Sequence, residues 1–279
     1  MIKKLGDGKM KVFITGISGL LGSTMARFLI NQGHEVIGID NMIGGVEGNV
    51  PELATYIKGD ILDVELMKES MKGCEVVFHA AALPYEGLSV FSPMVTATSI
   101  VSGTLATASA AIHNKIRLFI NCSSMARYGN LTPPFKESDI PTPVDPYGLA
   151  KLQAEQQLKT LSDLHGLYYI TVVPHNVIGI GQRYFDPFRN VVGIMINRCL
   201  QHKPIIIYGD GEQKRSFSNV LDCIKAIYKM MESRRKDLCG QVYNIGPDDN
   251  EISIKDLAYK IGHFCEKYPS LEHFPDRPA

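Results

Sequence analysis

The sequence predicts an α/β fold in which helices cover both faces of a doubly wound parallel sheet, with a smaller C-terminal α/β lobe. Short apolar runs rich in β-branched residues recur along the first 175 residues, and they are apolar along their whole length. Stretches with helical spacing lie between most of them. Fully apolar strands that alternate with helices are typical of parallel sheets buried on both faces. A chain of 279 residues is long enough to bury such a core.

The first strand is predicted at residues 11–15, where the run KVFIT ends at Gly16. A helix follows at 20–32, because its apolar residues fall on one stripe, and it ends at Gly33. A second strand is predicted at 36–40. The remaining elements of the first 175 residues alternate in the same way. Strands are predicted at 55–58, 75–79, 117–122 and 168–173, and helices at 63–71, 95–113 and 146–165.

After residue 176 the connections lengthen, which predicts a second lobe at 176–279 beside a first domain at 1–175. Both helices and strands are predicted in this second part. The helices lie at 188–201, 220–233 and 253–265, and the strands at 204–208 and 242–245. The chain then ends in PDRPA, where no closing element is predicted.

The composition excludes several classes of partner. Lys and Arg total 29 residues and Asp and Glu also total 29, and no run of Lys and Arg is long enough to form a basic patch. We therefore expect no nucleic-acid partner. We also expect no membrane partner, because no apolar run approaches the roughly 18 residues of a membrane span and the N-terminus lacks the apolar stretch of a signal peptide.

The six cysteines are scattered along the chain. They form no Cys-x-x-Cys pair, and no paired histidines accompany them at the spacing of a zinc site. Reduced, mostly buried thiols in a cytoplasmic protein are the expectation, with neither a disulfide framework nor a metal site.

A glycine-rich loop, TGISGLLG at 15–22, separates the first predicted strand from the first helix. Gly16, Gly19 and Gly22 permit a tight turn and let a pyrophosphate approach the backbone at the helix N-terminus. Asp40 follows about 20 residues later, at the end of the second strand, where its carboxylate can accept both ribose hydroxyls and repel a 2′-phosphate. The context predicts a Rossmann-type site for NAD rather than NADP. The alternative is an ordinary glycine turn.

The stretch DPYGLAK at 145–151 places Tyr147 and Lys151 four residues apart. On a helix the two side chains share one face. Tyrosine titrates near 10, and an ammonium beside it favours the phenolate, as general-base chemistry on a hydroxyl requires. The pair is weak evidence alone, since 12 Tyr residues give about one Tyr-x-x-x-Lys by chance. A solvated helix face is the simpler interpretation without further context.

Taken together, the motifs resemble those of the extended short-chain dehydrogenase/reductase family, in particular its NAD-dependent nucleotide-sugar epimerases and dehydratases. The resemblance extends from about residue 11 to the C-terminus and includes several motifs in the family's order. Besides the glycine loop and DPYGLAK, these are GDI at 59–61, HAAA at 79–82, CSSMARYG at 122–129, PHNV at 174–177, YGDGEQKR at 208–215, YNIG at 243–246 and PDRP at 275–278.

The resemblance implies NAD as the cofactor, held along the carboxyl ends of the strands. The cofactor-binding residues that it implies are Gly16, Gly19, Leu20, Leu21, Gly22, Asp40, Asn41, Asp60, Ile61, Ala80, Ala81, Ala82, Tyr147, Lys151 and Pro174. It also implies that Ser124 is the hydroxyl partner of Tyr147, so that Ser124, Tyr147 and Lys151 form the catalytic set.

The resemblance implies a nucleotide-sugar substrate bound between the sheet and the second lobe. Arg215 and Arg277 would hold the diphosphate, because a forked guanidinium suits phosphate oxygens. The full set of implied substrate residues is Glu86, Ser124, Met125, Asn176, Asn190, Tyr208, Arg215 and Arg277. For Glu86, contact with a sugar hydroxyl and exposure to solvent are equally open. A homodimer is also implied, in which helices 95–113 and 146–165 form a four-helix bundle with their copies.

The sequence departs from the family pattern at several positions. Ile100 occupies a slot where the family often has Asn, which puts a proton relay through that position in question. Pro174 replaces a frequent arginine, and Arg127 stands where an apolar residue is usual. Chains of the family usually continue past Arg277 for some tens of residues, so the resemblance implies a truncated C-terminus.

Met125 and Ala126 follow Ser124, where the 4,6-dehydratase branch is expected to carry an acidic pair. Neither side chain can transfer a proton. The remaining Ser/Tyr/Lys set suffices for reversible oxidation of one carbinol, which favours an isomerase that inverts C4 of a UDP-linked sugar. Two alternatives remain open: a net oxidoreductase or dehydratase acting on a nucleotide sugar or another small alcohol, and a catalytically silent NAD-binding protein.

Overall fold

The structure is a computed structural model that describes residues 8–233, 235–247 and 249–275. Its strands are β1 (Lys11–Thr15), β2 (Glu35–Asp40), β3 (Thr55–Lys58), β4 (Val76–His79), β5 (Leu118–Cys122), β6 (Tyr169–Pro174), β7 (Val177–Ile178), β8 (Ile205–Tyr208), β9 (Lys214–Arg215), β10 (Ser218–Asn219), β11 (Val242–Ile245), β12 (Ile252–Ser253) and β13 (Leu271–Phe274). Within the described residues, seven of these strands form one sheet in the order β11-β6-β5-β4-β1-β2-β3. All its neighbours pair in parallel, which confirms the predicted fold class.

The helices of the described residues follow the predicted alternation. They are α1 (Leu20–Asn31), α2 (Val64–Ser70), α3 (Glu86–Ser89), α4 (Pro93–Ala97), α5 (Gly103–His113), α6 (Pro146–His165), α7 (Val191–Leu200), α8 (Val220–Glu232) and α9 (Ile254–Phe264). A turn of π-helix, Thr98–Ser102, joins α4 to α5. The sequence predicted one uniform helix there.

Helix α6 has the predicted bounds because both of its ends carry local signals. Asp145 caps the N-terminus, since its carboxylate accepts a hydrogen bond from the Gly148 amide at 2.9 Å, and Pro146 occupies the first turn. Gly166 ends the helix in a left-handed conformation, with φ of 71°.

Helices cover both faces of the sheet. Val12 and Ile14 of β1 pack with α1 and α8 on one face. Phe13, between them, packs with α2, α5 and α6 on the other. Each fully buried aliphatic or aromatic side chain contributes about 1.5–3 kcal/mol relative to its exposed state. The continuous apolar character of β1 therefore reflects burial on both faces.

The second half of the chain does not form one separate unit. β11 joins the large sheet beside β6, and α8 packs against α1. α7 and α9 instead build a small core with β8 and β13. β13, just before the predicted end segment 275–279, pairs in parallel with β8, and the sequence did not predict this strand. Its run LEHF was missed because three of its four residues are exposed and it shows no apolar pattern.

Among the helices of the described residues, the continuous stretch Pro93–His113 is long and apolar enough, by length and composition, to cross a membrane. The expectation that no run approaches this length was therefore wrong. Half of the stretch is buried inside the fold, as in the core helix of a globular domain, and its C-terminal part packs in the core beneath the sheet.

Candidate active site

A cleft of about 1830 Å³ extends along the carboxyl ends of the parallel strands. The loops after β1, β2, β4, β5 and β6 line one wall, and residues of the small lobe line the other. The strand order reverses between β1 and β4, because β2 and β3 lie on one side and β5 and β6 on the other. Open parallel sheets bind ligands at such a reversal point.

Two glycines of the loop, Gly16 and Gly22, pack too closely against neighbouring backbone to carry a side chain. Gly16 has φ of +72°, and a Cβ there would lie 2.9 Å from the Ala81 Cα. A Cβ on Gly22 would collide with the Gly16 carbonyl oxygen. Helix α1 starts at Leu20 without a side-chain cap, so its first amides point into the cleft with the positive end of the helix dipole. The loop is therefore shaped to receive an anion such as a pyrophosphate.

Asp40 ends β2 beside this loop. Its carboxylate accepts hydrogen bonds from the Ser18 amide at 3.0 Å and the Met42 amide at 2.8 Å, which fix its orientation. Asn41 donates to Asp60 at 2.9 Å and so links the loops after β2 and β3. The Ser18 hydroxyl is buried in the cleft wall and has no hydrogen-bond partner among the described residues. An orphaned donor beside Asp40 fits a dinucleotide in this position.

Ser124, Tyr147 and Lys151 meet in the cleft at the end of β5 and the start of α6. Ser124 precedes a short 3₁₀ turn, Met125–Tyr128, where its hydroxyl accepts a bond from the Ala126 amide at 3.2 Å. The Ser124 side chain lies beside the Tyr147 phenol and acts by hydrogen bonding to lower its pKa. The Lys151 ammonium donates to the Cys122 carbonyl at 2.8 Å and lies 5.9 Å from the centre of the Tyr147 ring.

Burial controls the protonation of this set. It raises the pKa of Tyr147 to about 12, although the hydrogen bond with Ser124 acts in the opposite direction. Burial also lowers the pKa of Lys151 to about 8. The expectation that Lys151 lowers the pKa of Tyr147 is thus incomplete. Desolvation of the phenol raises this pKa by more than the neighbouring groups of the protein lower it. A further positive charge in the cleft is needed to favour the phenolate.

The other predicted cofactor residues also line the cleft. Pro174 ends β6 there, and Ala80, Ala81 and Ala82 follow β4. The remaining ones on the cleft wall are Gly19, Leu20, Leu21, Gly22, Asp60 and Ile61. The fold therefore collects residues that lie more than 150 positions apart in the chain.

Most of the predicted substrate residues also line the cleft, some from the loops after β4, β5 and β6 and the others from the small lobe. Asn176 donates to the Ser216 carbonyl at 3.1 Å, and Asn190 caps α7 by accepting from the Val192 amide at 2.9 Å. The others lining the cleft are Glu86, Tyr208 and Arg215. Met125 does not line it, and Arg277 lies outside the described residues.

One group of residues, two of which (Gly44 and Arg189) line the cleft, carried no sequence signal. Arg189 donates to the Gly44 carbonyl at 2.9 Å and to the Asp186 carboxylate at 3.3 Å, and its guanidinium lies 4.8 Å from the centre of the Tyr85 ring. The Tyr85 hydroxyl donates to Asp186 at 2.9 Å. This tie, formed by Gly44, Tyr85, Asp186 and Arg189, joins three loops around the cleft. Its members belong to no motif, and only the fold shows their proximity.

Arg189→Met is expected to lower the free energy of unfolding by about 1.5–3 kcal/mol, because hydrogen bonds to charged groups are lost and Asp186 stays buried without its cation. Urea unfolding measures this change. Lys159→Met is the matched control, since Lys159 pairs with Asp163 on the surface of α6 and both side chains are exposed. Equal effects of the two substitutions would contradict the role of the tie.

The described residues contain no group of three or more His, Cys, Asp or Glu side chains that could hold a metal ion. The cleft is lined by backbone amides, hydroxyls, several carboxylates and guanidinium groups, and the buried ammonium of Lys151. A parallel sheet with this strand order and a glycine loop at its reversal point defines the class of dinucleotide-binding α/β proteins.

Comparisons with known proteins give the family. Residues 12–246 match the model of the NAD dependent epimerase/dehydratase family. A putative UDP-glucose 4-epimerase from Methanocaldococcus jannaschii is 32% identical, over 90% of this chain and 81% of its own length. The chain belongs to the NAD-dependent epimerase/dehydratase family, and NAD is its cofactor.

Solved structures agree with this assignment. The UDP-glucose 4-epimerase of Thermotoga maritima with UDP-glucose superposes with a TM-score of 0.90 at 29% identity, covering 97% of this chain and 87% of that one. The UDP-glucuronic acid 4-epimerase of Bacillus cereus, in complex with UDP-glucuronic acid and NAD, gives a TM-score of 0.87 at 28% identity, covering 96% and 87%.

Proposed function

We propose that this protein is an isomerase that inverts C4 of a UDP-linked sugar through a transient 4-keto sugar. The observation that carries the proposal is the buried Tyr147, which lies with Ser124 and Lys151 in the same cleft as the glycine loop. The acidic pair expected of a dehydratase is missing, because Met125 and Ala126 follow Ser124. The relatives described above are 4-epimerases, which supports the same reaction here.

The cofactor would be held by backbone and side chains of the large sheet. Amides of the glycine loop would bind the pyrophosphate and Asp40 the adenosine ribose, with Asn41, Asp60 and Ile61 beside the adenine. Ala80, Ala81, Ala82 and Pro174 would border the nicotinamide. When bound, the cofactor would supply reversible hydride transfer at C4 of the sugar, and the positive charge of its nicotinamide ring would favour the Tyr147 phenolate.

Tyr147 removes the proton from the sugar 4-hydroxyl and later returns it to the same oxygen. Ser124 hydrogen-bonds that oxygen and orients it toward Tyr147. Lys151 supplies a fixed positive charge beside the phenolate, and its bond to the Cys122 carbonyl holds the ammonium in place. Ile100, in the slot where the family often has Asn, is buried against Tyr147, so proton transfer runs through Ser124 and Tyr147 without a relay at that position.

The substrate would lie between the sheet and the small lobe. Arg215 and Arg277 would bind the diphosphate, Asn176 and Asn190 would donate hydrogen bonds, and Tyr208 would stack on the base. Glu86 completes the proposed sugar contacts, whereas Met125 does not line the cleft. In this scheme residues 1–175 form the NAD-binding domain, and 176–279 form mainly the substrate lobe while contributing α8 and β11 to the large sheet.

Assembly and location are part of the same proposal. A homodimer through a four-helix bundle of 93–113 and α6 is supported by exposed apolar side chains on α6, among them Leu149 and Leu164. A cytoplasmic location is supported by the six cysteines, all of which are free thiols.

Incubation with UDP-, GDP-, CDP- and dTDP-sugars without added NAD tests the reaction, with chromatography and proton NMR of the sugar as readouts. We expect a UDP-sugar inverted at C4 and no accumulation of NADH, because the hydride returns to the substrate. Stoichiometric NADH would instead establish a net oxidoreductase, and loss of water a dehydratase. Bound NAD with no change in any sugar would establish a silent NAD-binding protein.

A further inference from the structure

A buried ion pair lies directly behind the catalytic residues. The Arg127 guanidinium and the Glu155 carboxylate are 3.0 Å apart, and the two residues are only 5% and 7% exposed. Arg127 belongs to the 3₁₀ turn that follows Ser124, and Glu155 lies one helical turn after Lys151 on α6. The pair therefore joins the two elements that carry the proposed catalytic set.

Glu155 is bonded from both sides of Ser124. The Ser123 hydroxyl donates to one carboxylate oxygen of Glu155, and Arg127 donates to the other. Ser123 is also fixed by its amide, which donates to the Val172 carbonyl of β6 at 2.8 Å. Because one carboxylate holds the residue before Ser124 and a residue just after it, the position of the Ser124 hydroxyl depends on Glu155.

This arrangement is poorly explained by stability alone. Apolar pairs of similar volume are often as stable as a buried ion pair or more stable. Arg127 also leaves two guanidinium nitrogens, Nε and Nη1, without a hydrogen-bond partner among the described residues. An ion pair whose burial costs free energy in this way is better explained by a role in the adjacent candidate active site.

The charges around Lys151 show what that role is. Cys122 on β5, His79 on β4 and Tyr169 on β6 face this region, and all three are uncharged near neutrality. Burial raises the pKa of Cys122 to about 12, lowers that of His79 to about 3 and raises that of Tyr169 to about 12. Among these groups and the ion pair, Glu155 is thus the source of negative charge beside Lys151.

Arg127 in turn controls the charge of Glu155. Burial raises the pKa of this carboxyl group, and the Arg127 guanidinium is the main influence that lowers it again. Without Arg127, a carboxylate at this depth takes up a proton more readily. The ammonium of Lys151 then loses its negative neighbour, although Arg127 and Lys151 carry the same sign of charge.

We propose that Ser123, Arg127 and Glu155 form a positioning network that holds the Ser124 turn against α6 and keeps Lys151 in its charged form. Glu155 acts on both, and Arg127 keeps Glu155 ionised. The catalytic consequence rests on the function proposed above, whereas the effect on Lys151 belongs to the protein alone.

Glu155→Gln is expected to shift the alkaline limb of the pH profile of kcat to lower pH by about one unit, because Lys151 loses its proton earlier when no carboxylate is near. Arg127→Met is expected to shift the same limb in the same direction through protonation of Glu155. Simple removal of a cation would shift it to higher pH. Asp163→Asn is the control, since it changes a carboxylate to an amide on the exposed face of α6.

A titration of Lys151 by ¹³C NMR of its Cε, without substrate, tests the network independently of turnover. The resonance is assigned by its loss in Lys151→Met. We expect a lower pKa for Lys151 in Glu155→Gln, in Arg127→Met and in the double variant. The double variant leaves no unpaired buried charge, so it can be measured where a single variant does not fold. An unchanged pKa in these variants overturns the proposal. If the wild-type protein inverts no sugar, the proposed function fails. The titration still shows whether Arg127 and Glu155 control the protonation of Lys151.

Discussion

Tyr147→Phe is expected to lower kcat for sugar inversion by about 10³-fold or more, because it removes the group proposed to take and return the proton. The phenyl ring fills the same space, and Tyr147 packs with Ile100, Ala150 and Ala154, so the core around it stays intact. NAD binding is expected to persist, since the glycine loop and Asp40 are untouched. Turnover is followed by proton NMR, and bound NAD is measured after denaturation of the purified variant.

Tyr228→Phe is the control for this change. It also deletes a phenol hydroxyl, but that hydroxyl bonds His34, just before β2, and Glu232 of α8, and none of these residues lines the cleft. Its kcat is expected to equal that of the wild type. A Tyr147→Phe variant that retains more than about one tenth of the wild-type kcat would remove Tyr147 from its role as general base.

Much of the fold was predictable because its signals are local. The apolar runs of β1 to β6 are read directly from the sequence, and Asp145, Pro146 and Gly166 mark the ends of α6. The cleft was predictable for a related reason. In a parallel sheet the loops after successive strands meet at one edge, so Gly16, Asp40 and Ser124 had to approach one another once the strands were assigned.

The rest depended on distances that the sequence does not encode locally. β11 was read as part of the second lobe, because nothing in the run VYNI shows that its partner is β6. The tie around Arg189 joins three loops whose positions in the chain differ by up to 145 residues. The pKa of Tyr147 was expected to fall because Lys151 was visible as its neighbour. Burial, which raises it, is a property of the whole fold.

Arg127 is a residue that the sequence singled out but could not explain. The sequence marked it as a departure from the family pattern but gave no reason for a cation at that position. Its partner, Glu155, lies 28 positions away on another element and looks like any charged helix residue. Only the burial of both groups makes the pair unusual, and its place between the Ser124 turn and α6 supports the proposed role.

Gly22→Ala is expected to abolish tight NAD binding, with a loss of affinity of about 100-fold or more, because the added methyl group enters the space of three backbone atoms. It would collide with the Gly16 carbonyl oxygen and lie 2.8 Å from Gly16 C and 2.9 Å from Ile17 Cα. None of these atoms is the end of a flexible side chain, so α1 must move away from the loop. Overpacking of this kind also lowers the free energy of unfolding by about 1–3 kcal/mol.

Calorimetric titration with NAD and urea unfolding separate the two effects. Gly48→Ala is the matched control, because a Cβ at Gly48 meets no atom within 4 Å and the residue is exposed. It is expected to bind NAD as the wild type does. A stable Gly22→Ala variant with wild-type affinity would contradict the assignment of the loop as the pyrophosphate site. A variant that is folded but free of NAD would show that the close packing of α1 against Gly16 creates the site, since no side chain of the loop has been removed.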